Sequence, residues 1–82
     1  MYEVIEEPIY VGAIFKGNKI RPRWFIWNKR KYPIRDVTFS WQDKRGEENL
    51  LYFSVSDGVN IYEICFNQKR LNWFLSKVSI EG

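Results

Sequence analysis

The sequence predicts an all-β fold, and three observations carry that prediction. Apolar and polar residues alternate with period two, as in Leu51, Phe53 and Val55 against Leu50, Tyr52 and Ser54. Turn dipeptides such as Gly17-Asn18 and Asp57-Gly58 separate the alternating runs at short intervals. Four Trp, five Tyr and six Phe in 82 residues supply bulky side chains that suit strands and fill a small core. The expected architecture is a small antiparallel meander of five to six strands, curled into a barrel or half-barrel that hides its edges.

In chain order, the first strand is expected over Ile9 to Phe15, and residues 1–8 as a loosely ordered N-terminal segment. Gly17-Asn18 suits a tight hairpin turn with glycine at its first central position. The return strand runs from Ile20 to Trp27; Pro22 cannot donate to a ladder, so this strand begins late or lies on an edge. After a turn at Asn28-Lys29-Arg30, a third strand is expected from Lys31 to about Trp41. Its alternation slips, because Tyr32 and Ile34 have one parity and Val37, Phe39 and Trp41 the other. A bulge near Arg35-Asp36 would restore all five to one face.

The polar run Gln42 to Asn49 reads as the longest loop. Leu50 to Ser56 and Val59 to Phe66 read as a hairpin around Asp57-Gly58, and Asn67 to Arg70 as a further turn. Leu71 to Ile80 reads as a last strand. Leu71, Phe74, Leu75 and Val78 also fit a short C-terminal helix, but Val78-Ser79-Ile80 favours the strand. The expected core is Phe25, Trp27, Tyr32, Ile34, Val37, Trp41, Phe53, Val55, Tyr62, Ile64, Trp73 and Leu75, all within a single domain spanning 1–82.

Composition excludes several functions. A chain this short buries only about 60% of its unfolded surface and usually needs an efficient core or a staple. One cysteine, Cys65, permits no internal disulfide, and without histidine a zinc site is out of reach, so no metal or cofactor is expected. The same lack of histidine removes the usual general base and both Ser–His and Cys–His pairs, so the chain reads as non-enzymatic. Asp36, Asp43, Asp57 and Glu63 have no spacing that brings them together, and they read as solvated carboxylates. Cys65 reads as a half-buried packing thiol. No apolar run has the length of a membrane span, the start is acidic, and the free thiol suits the reducing cytoplasm.

Charge is the informative feature. Lys16 to Arg35 holds eight basic residues and no acidic one, whereas the rest of the chain carries five basic and ten acidic residues. Such asymmetry points to a polyanionic partner. Cations interleaved with Trp24, Phe25 and Trp27 suit single-stranded nucleic acid, held by phosphate contacts and base stacking. The candidate nucleic-acid-binding residues are Lys19, Arg21, Arg23, Trp24, Lys29, Arg30, Lys31 and Arg35. Trp24 is the expected stacking platform, because its parity opposes Phe25 and Trp27. The alternative is a protein-interaction module, docking an acidic protein surface or pairing an exposed edge strand with a peptide; a homodimer is compatible with either. The plainest reading makes the cations gatekeepers against edge aggregation.

The run Arg21-Pro22-Arg23-Trp24-Phe25-Ile26-Trp27, then Lys31-Tyr32-Pro33-Ile34, Val37 and Trp41, resembles a small bacterial domain family of unknown function. The family reads Arg-Pro, two residues, Phe, one residue, Trp, then a basic turn, Tyr and Val. Tyr52-Phe53-Ser54-Val55, Asp57-Gly58, Tyr62-Glu63-Ile64 and Trp73-Phe74-Leu75 are similar to its later Tyr-Glu-Leu and Trp-x-Leu strands, so the likeness covers about Ile9 to Val78. Similar domains accompany Y-family DNA polymerases, so the resemblance implies a DNA-repair context. Asn28-Lys29 departs from the family's turn glycine, and Asn67 from its acidic residue after Tyr-Glu-Leu.

Overall fold

A computed structural model describes residues 1–80 as seven strands in one sheet. They are β1 (Tyr2–Lys16), β2 (Lys19–Trp27), β3 (Arg30–Pro33), β4 (Asp36–Arg45), β5 (Glu48–Ser56), β6 (Ile61–Asn67) and β7 (Asn72–Ser79). The order is β3-β2-β1-β7-β6-β5-β4, with every neighbouring pair antiparallel. Two hairpin series, β3-β2-β1 and β7-β6-β5-β4, are therefore joined by the pairing of the first strand with the last. The strand count exceeds the expected five to six, and among the described residues there is no helix.

Three expectations change. Residues 2–8 are strand rather than loose chain: Tyr2 pairs with Ser79, Glu3 with Val78 and Val4 with Lys77, because β7 offers them an open edge. The polar run Gln42 to Asn49 is not a loop. β4 continues to Arg45, pairs with Glu48, and reverses through Gly46-Glu47, where Gly46 at φ 61° supplies the left-handed backbone. Its charged alternation is that of an exposed edge strand. The Asp57-Gly58 turn is longer than expected, since β6 begins only at Ile61.

The expected third strand is split, and the split explains the curl of the sheet. β3 pairs with β2 at one edge and β4 pairs with β5 at the other, yet only Ile34 and Arg35 separate them. Such a link spans at most about 11 Å from Pro33 to Asp36, so the sheet must bend until its two edges approach. The Ile34 N–H donates to Arg23 O (2.9 Å) and the Arg35 N–H to Ser56 O (2.8 Å), tying the crossing to both sides. Among the described residues no ladder joins β3 to β4, so the sheet is strongly curled but open, and of the barrel or half-barrel expected the closed barrel is not formed. Bulges at Gly12/Ala13 opposite β2, at Val37/Phe39 and at Glu63/Ile64 supply the added twist.

The curl defines an inner and an outer face. The inner face holds Ile9, Phe25, Phe53, Val55, Tyr62, Ile64, Phe66, Leu75 and Val78, with Trp27, Tyr32, Ile34 and Trp73 packed against them. Phe25 stacks on Tyr32 (4.9 Å) and meets Tyr62 edge-on (5.1 Å). The outer face has a smaller cluster of Leu50, Tyr52 and Cys65, against which Trp41 and Phe74 pack. Two expected core residues fall elsewhere. The bulge at Thr38 turns Trp41 outward to stack on Tyr52 (5.2 Å), and Val37 is 40% exposed at the free edge.

Candidate nucleic-acid interface

Residues directly across a ladder share a face, so register decides which cations meet. β2 has a bulge at Arg23: Gly12 pairs with Trp24, and Ala13 already with Pro22. This extra residue inverts the parity of the strand. Buried Pro22 and half-buried Ile20 lie on the inner face with Phe25, and Arg21 moves to the outer face with Trp24. Simple alternation had grouped Arg21 with Phe25 and Trp27.

The outer face of the β1–β2–β3 arm can then be read pair by pair. Lys16 lies opposite Lys19, Ile14 opposite Arg21, Gly12 opposite Trp24, and Tyr10 opposite Ile26; Lys31 follows beyond Ile26, and Pro33 beyond Trp24. No carboxylate occurs in this set. Among the described residues, none of the cations from Lys16 to Arg35 forms a salt bridge; the ion pair recorded is Arg70 with Glu48, at 2.7 Å.

Trp24 is not the open platform the sequence suggested. Its indole lies flat over Gly12, where a Cβ would collide with Cε2 and Cζ2, and the Lys31 ammonium stands 4.9 Å from the ring centroid. Such a contact contributes about 0.5–1 kcal/mol at an exposed site. The open ring on this face is Tyr10, 77% exposed and diagonal to Trp24 across the ladder. Sequence reasoning passed over Tyr10, and it counted Lys16 in the basic run without naming it a contact; the signal available was Tyr10-Val11-Gly12, alternating opposite Trp24 in a hairpin whose turn was legible.

The other predicted residues distribute as follows. Lys29 occupies the β2–β3 turn with Asn28, both in the left-handed region at φ 63° and 52°. Arg23 sits at the bulge. Arg30 faces the opposite way, its guanidinium 5.9 Å from the Tyr32 ring. Arg35 belongs to the crossing link and lies beside Gly58. The structure thus gathers Lys19, Arg21, Trp24 and Lys31 on one face, with Lys29 at its tip, and leaves Arg30 and Arg35 outside it.

The acid and thiol groups have structural surroundings. Desolvation pushes the Cys65 thiol up to about 12, so it is a buried, protonated side chain. Burial alone would raise Asp57, but the Asn60 and Val59 N–H groups (both 2.8 Å) and the Tyr62 hydroxyl (2.9 Å) outweigh it and hold this carboxyl below its ordinary range. Asp57 therefore fastens the β5–β6 loop. Among the described residues no three His, Cys, Asp or Glu side chains gather as metal ligands, and no helix is long and apolar enough to cross a membrane.

No family model matches the chain, and no curated protein or solved structure matches it significantly.

Proposed function

We propose that this chain is a non-enzymatic module that binds single-stranded nucleic acid on the outer face of the β1–β2–β3 arm. The observation that carries this reading is a carboxylate-free row of ladder pairs that places Lys16, Lys19, Arg21 and Lys31 on the same face as Tyr10 and Trp24. Unpaired cations on such a face would exchange small counterions for phosphates. Tyr10 offers a ring on which a base can stack, worth about 1–3 kcal/mol. At Trp24 a base would displace the Lys31 ammonium, freeing that charge for a neighbouring phosphate.

The turn adds independent support. Lys29 holds a left-handed backbone that favours Gly or Asn, so a lysine persists there at a conformational cost. Charge at the tip of the arm gives that cost a purpose. The family resemblance would set such a module in DNA repair, beside a polymerase that handles exposed template.

The test is a titration of the native tryptophans with an oligothymidylate, at low salt and again near about 0.2 M. Saturable quenching whose affinity falls by orders of magnitude with salt is expected. Tyr10→Ala should lower affinity at both salt concentrations, and Lys31→Glu should also flatten the salt dependence. Absence of binding by the folded protein at low salt would overturn the reading.

A further inference from the structure

The incomplete closure of the sheet leaves a second feature, which meets the outer face at Lys19 and Arg21. An open groove of about 830 Å³ lies between the start of β2 and the middle of β4, lined by Lys19, Ile20 and Arg21 on one side and Val37, Ser40 and Gln42 on the other. Phe15, Leu51 and Phe53 contribute to it from below. Among the described residues, both walls are strand edges without partners. β4 ends the sheet, and β3 pairs with β2 only from Trp24 to Trp27.

The hairpin turns tell which backbone groups face the groove. Residues that flank a two-residue turn exchange both ladder bonds, and the exchange then alternates along the strand. Arg45 and Glu48 flank Gly46-Glu47, so the Lys44, Gln42 and Ser40 amides and carbonyls point away from β5, toward the open side. Lys16 and Lys19 flank Gly17-Asn18, so Ile20 and Pro22 point away from β1. Pro22 has no N–H to offer there. The β2 wall is therefore blunted for pairing, whereas β4 presents a regular row of donors and acceptors.

We infer that the groove receives one extended segment of a partner protein, which adds to the free edge of β4 and carries apolar residues alternating with acidic ones. The alternation follows from the two faces. Inward side chains of the added strand would meet Phe15, Ile20, Leu51 and Phe53. Outward side chains would emerge beside Lys19 and Arg21, which share the outer face with Lys16. Ser40 and Gln42 face inward on β4, opposite Phe53 and Leu51, and are small or flexible enough to admit apolar neighbours. The added strand gains main-chain bonds along β4 and covers an apolar floor that the open sheet leaves accessible.

The probe is a fluorescein-labelled peptide alternating valine and glutamate over about eight residues, the ordinary length of a strand. Saturable binding is expected by anisotropy, and a matched peptide with lysine for glutamate should bind at least about tenfold more weakly. Amide exchange on the unaltered protein should show new protection at Ser40, Gln42 and Lys44. Gln42→Pro should weaken the peptide by at least about tenfold, whereas Tyr10→Ala and Lys31→Glu should leave it unchanged, which separates this site from the Tyr10 and Lys31 part of the nucleic-acid face. Should Gln42→Pro fail to fold, the exchange pattern decides. Four outcomes overturn the inference: equal binding of both peptides, protection away from β4, protection of the β4 amides that rises with protein concentration and without peptide (a second copy), and protection of those amides by an oligonucleotide instead.

Discussion

The central strands β5, β6 and β7 differ sharply from the β1–β2–β3 arm. Among the described residues, ten of the thirteen buried apolar side chains lie on the central strands; the arm contributes Ile9, Pro22 and Phe25. The central strands are covered on both faces, by the main cluster inside and by Leu50, Tyr52 and Cys65 outside. The arm is covered on its inner face, and its outer face carries Lys16, Lys19, Arg21 and Lys31 beside exposed Tyr10 and Ile14. Their turns differ in kind as well. Asp57 fastens the β5–β6 loop with side-chain hydrogen bonds, whereas Asn28 and Lys29 turn the arm through left-handed backbone. On the proposed function, stability and recognition fall on different strands, and a surface that adds little burial is free to concentrate one charge.

The strongest test of this division is truncation in each region. Leu75→Ala, at a fully buried position on β7, is expected to cost about 2–5 kcal/mol in urea denaturation. Ile14→Ala, at a 49% exposed position on the outer face of the arm, should stay within about 0.5 kcal/mol. An equal cost at both sites would mean that the arm is part of the stabilising core rather than a display surface.

The same division explains what was legible beforehand. Alternation located the central strands to within two residues at each end, including the opposed parities of Cys65 and Ile64, because a strand covered on its inner face must repeat with period two. It failed wherever the chain is exposed or irregular. Residues 2–8 and Gln42 to Arg45 lack an apolar rhythm because they lie on exposed or edge positions, where pairing depends on the neighbour and not on burial. The bulges at Arg23 and Thr38 each add one residue, and a local pattern cannot count a residue that only the partner strand reveals. The slip near Arg35-Asp36 was visible, but not that it marks the passage from one sheet edge to the other. For the interface, the run of cations was evident from composition. Which of them share a face depended on the Arg23 bulge, and the covering of Trp24 depended on Gly12.

Acid provides a second contrast, one that should fall on the central strands. The folded state holds Asp57 below its ordinary value, near 3.9 in an unfolded chain. Folding therefore favours the carboxylate, and its contribution is complete above that pH and declines as pH falls through the depressed folded value. Asp57→Ala removes the acceptor for three hydrogen bonds and should cost about 1–3 kcal/mol at neutral pH. The gap between the native protein and the variant should narrow as denaturation is repeated at progressively lower pH below about 4. A gap independent of pH would show that the loop is held by its backbone and not by the ionised side chain.

The smallest effect, and the one that bears most directly on the arm, is at Lys29. A non-glycine residue in the left-handed region costs about 1–2 kcal/mol, and glycine would relieve this while adding freedom to the unfolded chain worth about 0.4–1 kcal/mol. Lys29→Gly is thus expected to leave stability unchanged or to raise it by up to about 1 kcal/mol, read as a small upward shift in the urea midpoint. Oligonucleotide affinity should move the other way, with the slope of log affinity against log salt reduced by about one. Opposite signs in the two measurements would show that the turn gives up stability for a phosphate contact. A stability gain with unchanged salt dependence would remove Lys29 from the phosphate path and confine the contacts to Lys16, Lys19, Arg21 and Lys31 on the outer face of the strands.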